Sequence, residues 1–255
     1  MFNKHIKYFK FSFILIIIYL FISLIGSKYI IETKFPLNKK DIYGIEKLTS
    51  EVFKFTNHNR GWLYHIGLFN GLPLIPFTRL DNELTSYIFF FNQSIYNYLK
   101  IDGYLCGGHS NYLYRILQYS GVKSFIYNHG TNQGGDSHVV VIVEINDKLY
   151  LFDPTYNAVY KNGDRYLTFK ELLDIARDEK SLANYISIIN PEDKIYNIKL
   201  KRYRNYKSND MTNFFDRYKT IGEKKHILLS KIGMYFSSES SRNYFLSKYN
   251  YLKEL

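Results

Sequence analysis

Three short stretches of this chain carry side chains able to do nucleophilic chemistry. Gly103-Tyr-Leu-Cys106-Gly-Gly presents the single cysteine between glycines, Asp136-Ser-His138 opens the run Val-Val-Val-Ile-Val, and Tyr150-Leu-Phe-Asp153-Pro-Thr155 follows shortly after. A cysteine in the first turn of a helix sits in the field of free backbone N–H groups, which favours thiolate over thiol. Flanking glycines leave the sulfur open to approach and let the backbone turn sharply. A histidine at the head of a strand can take the thiol proton. An aspartate near the end of a paired strand can hold the far ring nitrogen and fix the tautomer. The spacing permits this: Asn146-Asp147 suits a two-residue hairpin connection, and a hairpin closed there places Asp153 beside His138 on the adjacent strand.

Each of these residues also has a plainer reading. A lone cysteine is commonly a small buried hydrophobe. His109 lies three residues after Cys106 and His129 lies in a Gly-rich stretch, so both compete as bases, with exposed polar residues as the alternative. Asp136 reads as a loop residue and Asp102-Gly103 as a turn. The seven histidines lack ligand spacing, so neither a metal nor any other cofactor is expected. Acyl chemistry further needs donors aimed at the developing oxyanion. The Cys106 N–H is the default first donor; Gln93, Asn92 and Tyr104 are the candidates for the second.

Gly-x-Cys opening a helix that ends in Ser-Gly-Val, histidine heading a β-run, and Asp-Pro-Thr ending the next strand together resemble the transglutaminase-like superfamily. The match spans about residues 100–156. It implies a papain-like core, with Cys106 as nucleophile, His138 as general base and acid, and Asp153 as the orienting carboxylate. Val139 and Val140 stand where the family carries an aromatic residue, and its basic residue after the Gly-Val turn is represented by Lys123, which leaves the substrate class open. Arylamine N-acetyltransferases also order Cys, His and Asp on a related core, but carry Arg-Gly-Gly before the cysteine, where Tyr104-Leu105 stand here.

The elements that must position these residues follow from periodicity. Ile42, Ile45, Leu48, Val52 and Phe55 have helical spacing over Asp41–Asn57, as do Leu84, Ile88, Phe91, Ile95 and Leu99 over Asp81–Leu99. A third helix is predicted over Cys106–Tyr119, stopped by Ser120-Gly121. The period then changes: Val122–Tyr127, Ser137–Ile145 and Lys148–Phe152 are strand-like. Thr168-Phe-Lys-Glu171 has capping-box spacing and opens a helix to about Arg177. Arg60–Phe77, with Pro73 and Pro76, reads as irregular.

Phe11 to Gly26 is uncharged and dominated by Ile, Leu and Phe, behind Lys4, Lys7 and Lys10. Extension to Ile31, with Lys28 snorkelling, reaches spanning length. An uncleaved signal anchor is expected, with a removed signal peptide as the alternative. The bulk of the chain is expected outside the cytoplasm, at the cell surface or in a periplasm, or secreted if the signal is cleaved.

The 255 residues carry 34 Lys+Arg against 23 Asp+Glu, a net +11. The charge is uneven. Residues 1–28 hold four lysines and no acid, 29–190 hold 16 basic and 16 acidic side chains, and 191–255 hold 14 basic and 7 acidic. The Tyr-rich basic tail (Lys199, Lys201, Arg202, Arg204, Lys207) suits an anionic lipid or acidic polymer; it has no nucleic-acid recognition motif, and no nucleic-acid partner is expected. A composition 46% apolar and 18% aromatic excludes a disordered or collagen-like chain, and one cysteine excludes an intrachain disulfide framework.

The expected fold is α+β: a papain/transglutaminase-like core with the cysteine helix packed on an antiparallel sheet, preceded by an N-terminal membrane segment. The expected divisions are 1–28 as signal anchor or signal peptide, 29–190 as the cysteine domain, and 191–255 as its C-terminal extension. The expected activity is acyl transfer or amide or peptide hydrolysis through a Cys106 thioester, on a protein or peptide substrate, with membrane attachment through residues 11–31. A binding or assembly protein that keeps the fold without turnover is the competing class.

Overall fold

The computed structural model describes residues 2–56, 90, 94, 106–130, 137–178, 182–192, 231–235 and 238–254. The chain divides into two compact units: Met1–Pro36 with Trp62–Ile101, and Leu37–Gly61 with Asp102–Leu255.

Of the first unit, the principal described element is helix α1, Phe2–Lys34. Its Phe11–Lys34 segment of 24 residues is long and apolar enough to cross a membrane. Phe11, Phe13, Leu15, Ile17, Phe21 and Ile25 are exposed all round, whereas Ser23, Ser27, Ile30, Ile31 and Phe35 recur at helical spacing as a buried stripe. The helix expected over Asp81–Leu99 falls almost wholly outside the described residues; Phe90 and Ser94 within it are helical and buried. Arg60–Phe77 falls outside them too.

The second unit is α+β. Helix α2 runs Ile42–Phe55 and is capped by Asp41, whose carboxylate accepts from Gly44 N–H at 2.8 Å. A Cβ on Gly44 would stand 2.0 Å from the Lys39 carbonyl oxygen, so the chain can fold back over the first turn only because that residue is glycine. Helix α3, Cys106–Tyr119, has the expected bounds. It ends in a Schellman motif: Gly121 at φ +68, with Gly121 N–H on Gln118 O and Val122 N–H on Leu117 O. That cap consumes Val122 and Lys123, so strand β1 starts at Ser124 rather than Val122 and runs on to Gly130.

Strands β2 (Ser137–Ile145) and β3 (Lys148–Asp153) form the expected hairpin. Asn146 and Asp147 both adopt left-handed backbone (φ 49 and 58), the signature of a two-residue turn matched to strand twist. The register pairs Ile145 with Lys148 and Val141 with Phe152. Sequence periodicity did not identify the remaining strands: β4 (Ala158–Asn162), β5 (Arg165–Tyr166), β6 (Ile186–Ile188) and β7 (Lys231–Tyr235). The described sheet is antiparallel in the order β5-β4-β3-β2-β1-β7, with β6 also paired to β4. Helix α4, Phe169–Arg177, carries the predicted capping box between Thr168 and Glu171, and α5 spans Glu239–Lys248.

Alternation along the strands divides the core. Phe125, Tyr127, Val140, Ile142, Leu149 and Leu151 pack with Phe169, Leu172 and Leu173 of α4, Phe245 of α5 and Leu252. Val139, of the opposite parity, meets α3 instead: its carbonyl takes a hydrogen bond from Ser110, and its Cγ2 lies 3.9 Å from where a Gly107 Cβ would stand. Helix α3 packs on β2 and β1, and α2 packs on α3. The cysteine helix is thus seated on the antiparallel sheet, as expected.

Candidate functional site

Cys106 is the first residue of α3 and is half-buried. His138 is the second residue of β2, and Asp153 the last of β3; both are buried, at 4% and 5% exposure. His138 Nε2 lies 2.6 Å from Asp153 Oδ2. The hairpin register explains the meeting, since Ile142 faces Leu151 and both residues lie further along the same direction from that pair. The imidazole is also in side-chain hydrogen-bond contact with Cys106. With Nε2 committed to Asp153, Nδ1 is the nitrogen left for the sulfur.

Asp153 is held from its other side. Its Oδ1 accepts from the backbone N–H groups of Thr155 (2.9 Å) and Tyr156 (3.2 Å), an arrangement characteristic of an Asx turn. The carboxylate is therefore fixed before the histidine adds its hydrogen bond. Tyr156 also lays its ring against the imidazole, with centroids 5.2 Å apart.

The electrostatics follow from these contacts. Burial pushes the Cys106 thiol up. The hydrogen bond and positive charge of His138, with a backbone hydrogen bond from Val139, outweigh that and hold the thiol below its ordinary value, against a smaller raising effect of the Asp153 charge. For His138, burial favours the neutral ring, but the charge and hydrogen bond of Asp153, followed by the contact with Cys106, raise it to about 10. Both directions favour a thiolate beside an imidazolium.

The competing base His109 is buried, with its Nδ1 2.6 Å from Thr56 Oγ1. The Thr56 hydroxyl donates to Val52 O at 2.7 Å, so its oxygen accepts from His109 Nδ1–H. This bond ties α3 to the end of α2. His129 stands opposite His138 in the β1–β2 register. Asp136, Gln93, Asn92, Tyr104, Asp102 and Gly103 lie outside the described residues. Among the described residues, no three His, Cys, Asp or Glu side chains converge as metal ligands would.

Three contributors were not identified from the sequence. Ser110 is silent because its role depends on reaching a carbonyl 29 positions away. Tyr156 and Asn157 belong to the turn after Asp153, where Pro-Thr-Tyr-Asn signals a turn but not what the turn holds.

No protein-family model matches the chain, and no curated protein matches it. Among solved structures, one described as "Crystal structure of a TGase" aligns at 14% identity and a TM-score of 0.32. The alignment covers 60% of this chain and 37% of that one. So loose an overlap carries no argument about fold or chemistry.

Proposed function

We propose that this protein is a cysteine-nucleophile acyl-transfer enzyme with a papain-like core of transglutaminase-like type. The observation that carries the proposal is the buried His138–Asp153 bond of 2.6 Å with Cys106 on the same imidazole. A purely structural cysteine would not need its own ring partner, itself oriented by a carboxylate that two backbone N–H groups already hold.

In this mechanism the Cys106 thiolate adds to an amide or ester carbonyl, and the π-electron pair moves to oxygen. The Cys106 N–H is the first donor to that oxyanion, and Gln93, Asn92 or Tyr104 would supply the second. Collapse expels the amine or alcohol, which takes its proton from the His138 imidazolium, and leaves a thioester on Cys106. His138, now neutral, deprotonates the incoming water or amine, whose attack releases the acyl group and restores the thiolate–imidazolium pair. Asp153 keeps the ring oriented through both proton transfers. Water is the default acceptor, so hydrolysis of a peptide or amide is the favoured reaction.

The same proposal makes residues 1–28 a retained anchor held in the membrane through residues 11–31, with residues 29–190 as the cysteine domain and the bulk of the chain extracytoplasmic. Residues 191–255 extend that domain, since β7 pairs with β1. An anionic lipid or acidic polymer is the proposed partner of the basic tail.

The test is reaction of purified protein with an acyl-type thiol probe at neutral pH. Covalent labelling of Cys106 that is lost in His138→Ala supports the enzyme. Inertness of the wild-type thiol instead leaves a scaffold that binds without turnover. A phosphatase or fluorescent reporter at the C-terminus tests the topology, and a cytoplasmic readout would overturn it.

A further inference from the structure

Resting on the cysteine reading above, we infer that Asn157 is a positioning residue, which clamps the turn that aims the Asp153 carboxylate at His138. Asp153 and Ala158 are paired across β3 and β4, so Pro154–Asn157 form the loop between them. Both backbone N–H groups that hold Asp153 Oδ1 come from this loop. Pro154 has no N–H to compete for the carboxylate. The loop closes at Asn157, in left-handed backbone at φ 52.

Backbone conformation alone does not account for that asparagine. Gly163, one turn further along, takes φ +60 with open space where a side chain would be. Asn146, Asp147 and Asn190, the other described non-glycine residues at positive φ, are exposed. Asn157 is instead 1% exposed. Its Nδ2 donates to the Ile189 carbonyl at 2.5 Å and reaches Ser50 Oγ on α2 at 3.4 Å, while its own carbonyl accepts from Ile189 N–H at 2.7 Å. The amide orientation follows from chemistry, since an oxygen in place of that nitrogen would face a carbonyl oxygen. Its Oδ1 is also buried, with no hydrogen-bond partner among the described residues, a cost an exposed turn residue does not incur.

The clamp completes a circuit. Ser50 of α2 meets the acid's turn through Asn157, and Thr56 at the end of α2 meets the cysteine helix through His109. Helix α2 is therefore the common backing of both the acid and the nucleophile. Loosening Asn157 frees the turn from that backing, so the carboxylate loses its fixed aim and the ring loses its orientation.

The experiment is iodoacetamide alkylation of Cys106 as a function of pH on the full chain in detergent, with a thermal melt beside it. Asn157→Gly keeps the backbone conformation and removes the amide. It is expected to slow alkylation at pH 7 roughly 10-fold, the loss of thiolate that accompanies an upward movement of about one pH unit, and so to shift the midpoint toward that of His138→Ala. A lower melting temperature with an unchanged midpoint would make Asn157 structural only and overturn the inference. Should Asn157→Gly fail to fold, Ser50→Ala severs one tie and leaves the turn intact; a smaller upward movement is then expected, and no movement overturns the inference. Wild-type protein indifferent to His138→Ala would sink the cysteine reading itself. Sensitivity to His138→Ala with indifference to Asn157→Gly would sink this inference alone.

Discussion

The Ser110 hydroxyl donates to the Val139 carbonyl at 2.7 Å, joining the helix that begins at Cys106 to the strand that carries His138. Ser110 is one turn beyond the cysteine, and Val139 directly follows the histidine. Val139 is thus engaged twice, because it also supplies a backbone hydrogen bond to the Cys106 sulfur. This hydrogen bond links the elements that carry Cys106 and His138 close to both residues.

Removing the lock has a defined cost. Ser110→Ala leaves the Val139 carbonyl without that side-chain donor and is expected to destabilise by about 1–2 kcal/mol. Chemical denaturation measures this, and the slope against denaturant should stay unchanged.

The thiol should titrate low. Because the Cys106 thiol is held below its ordinary value and His138 is raised to about 10, alkylation should reach its plateau on the neutral side of an ordinary thiol. Above about pH 10 the imidazolium proton is lost, and with it the stabilisation of the thiolate. His138→Ala removes the hydrogen bond and the charge, so the midpoint should rise and the rate at pH 7 should fall at least about tenfold. A stopped-flow pH profile of both proteins provides the comparison.

Asp153→Asn tests the tautomer. The Thr155 and Tyr156 N–H groups require an acceptor, so the asparagine oxygen turns to them and its NH₂ faces His138 Nε2. That nitrogen must then accept, which leaves the proton on Nδ1, opposite the thiol, and removes the base. Loss of probe labelling by roughly 100-fold or more, with a near-native melting curve, is expected.

Membrane attachment should depend on the exposed apolar surface of α1. Ile14 and Ile18 are about half exposed, and lysine at both positions should cost about 2.5–3.5 kcal/mol each in a hydrocarbon core. Carbonate-washed membranes should retain the wild-type chain and release the double variant.

Much of this architecture is legible along the chain because it is local. Helix α3 begins and ends where periodicity and Gly121 say it should, the Thr168–Glu171 box caps α4, and Asn146-Asp147 closes the hairpin. A cap, a turn and an apolar period are decided within a few residues by backbone sterics and hydrogen bonding. The His138–Asp153 pairing inherits that locality, since a two-residue turn dictates which strand positions face one another. Strands β4 to β7 were not legible. They are short, and the partners that make β6 and β7 strands lie far away in sequence, β6 on β4 and β7 on β1.

By itself, then, the sequence determined the residue types, the cysteine helix and the hairpin that brings His138 and Asp153 together. Only the tertiary structure decided which face of the sheet received α3, that Ser110 would grip Val139, that His109 would bond to Thr56, and that Asn157 would be buried against Ser50 and Ile189. The reason is physical. Local rules specify where a side chain starts, but a hydrogen bond across 29 or 107 positions exists only after the core has closed and excluded water from both partners.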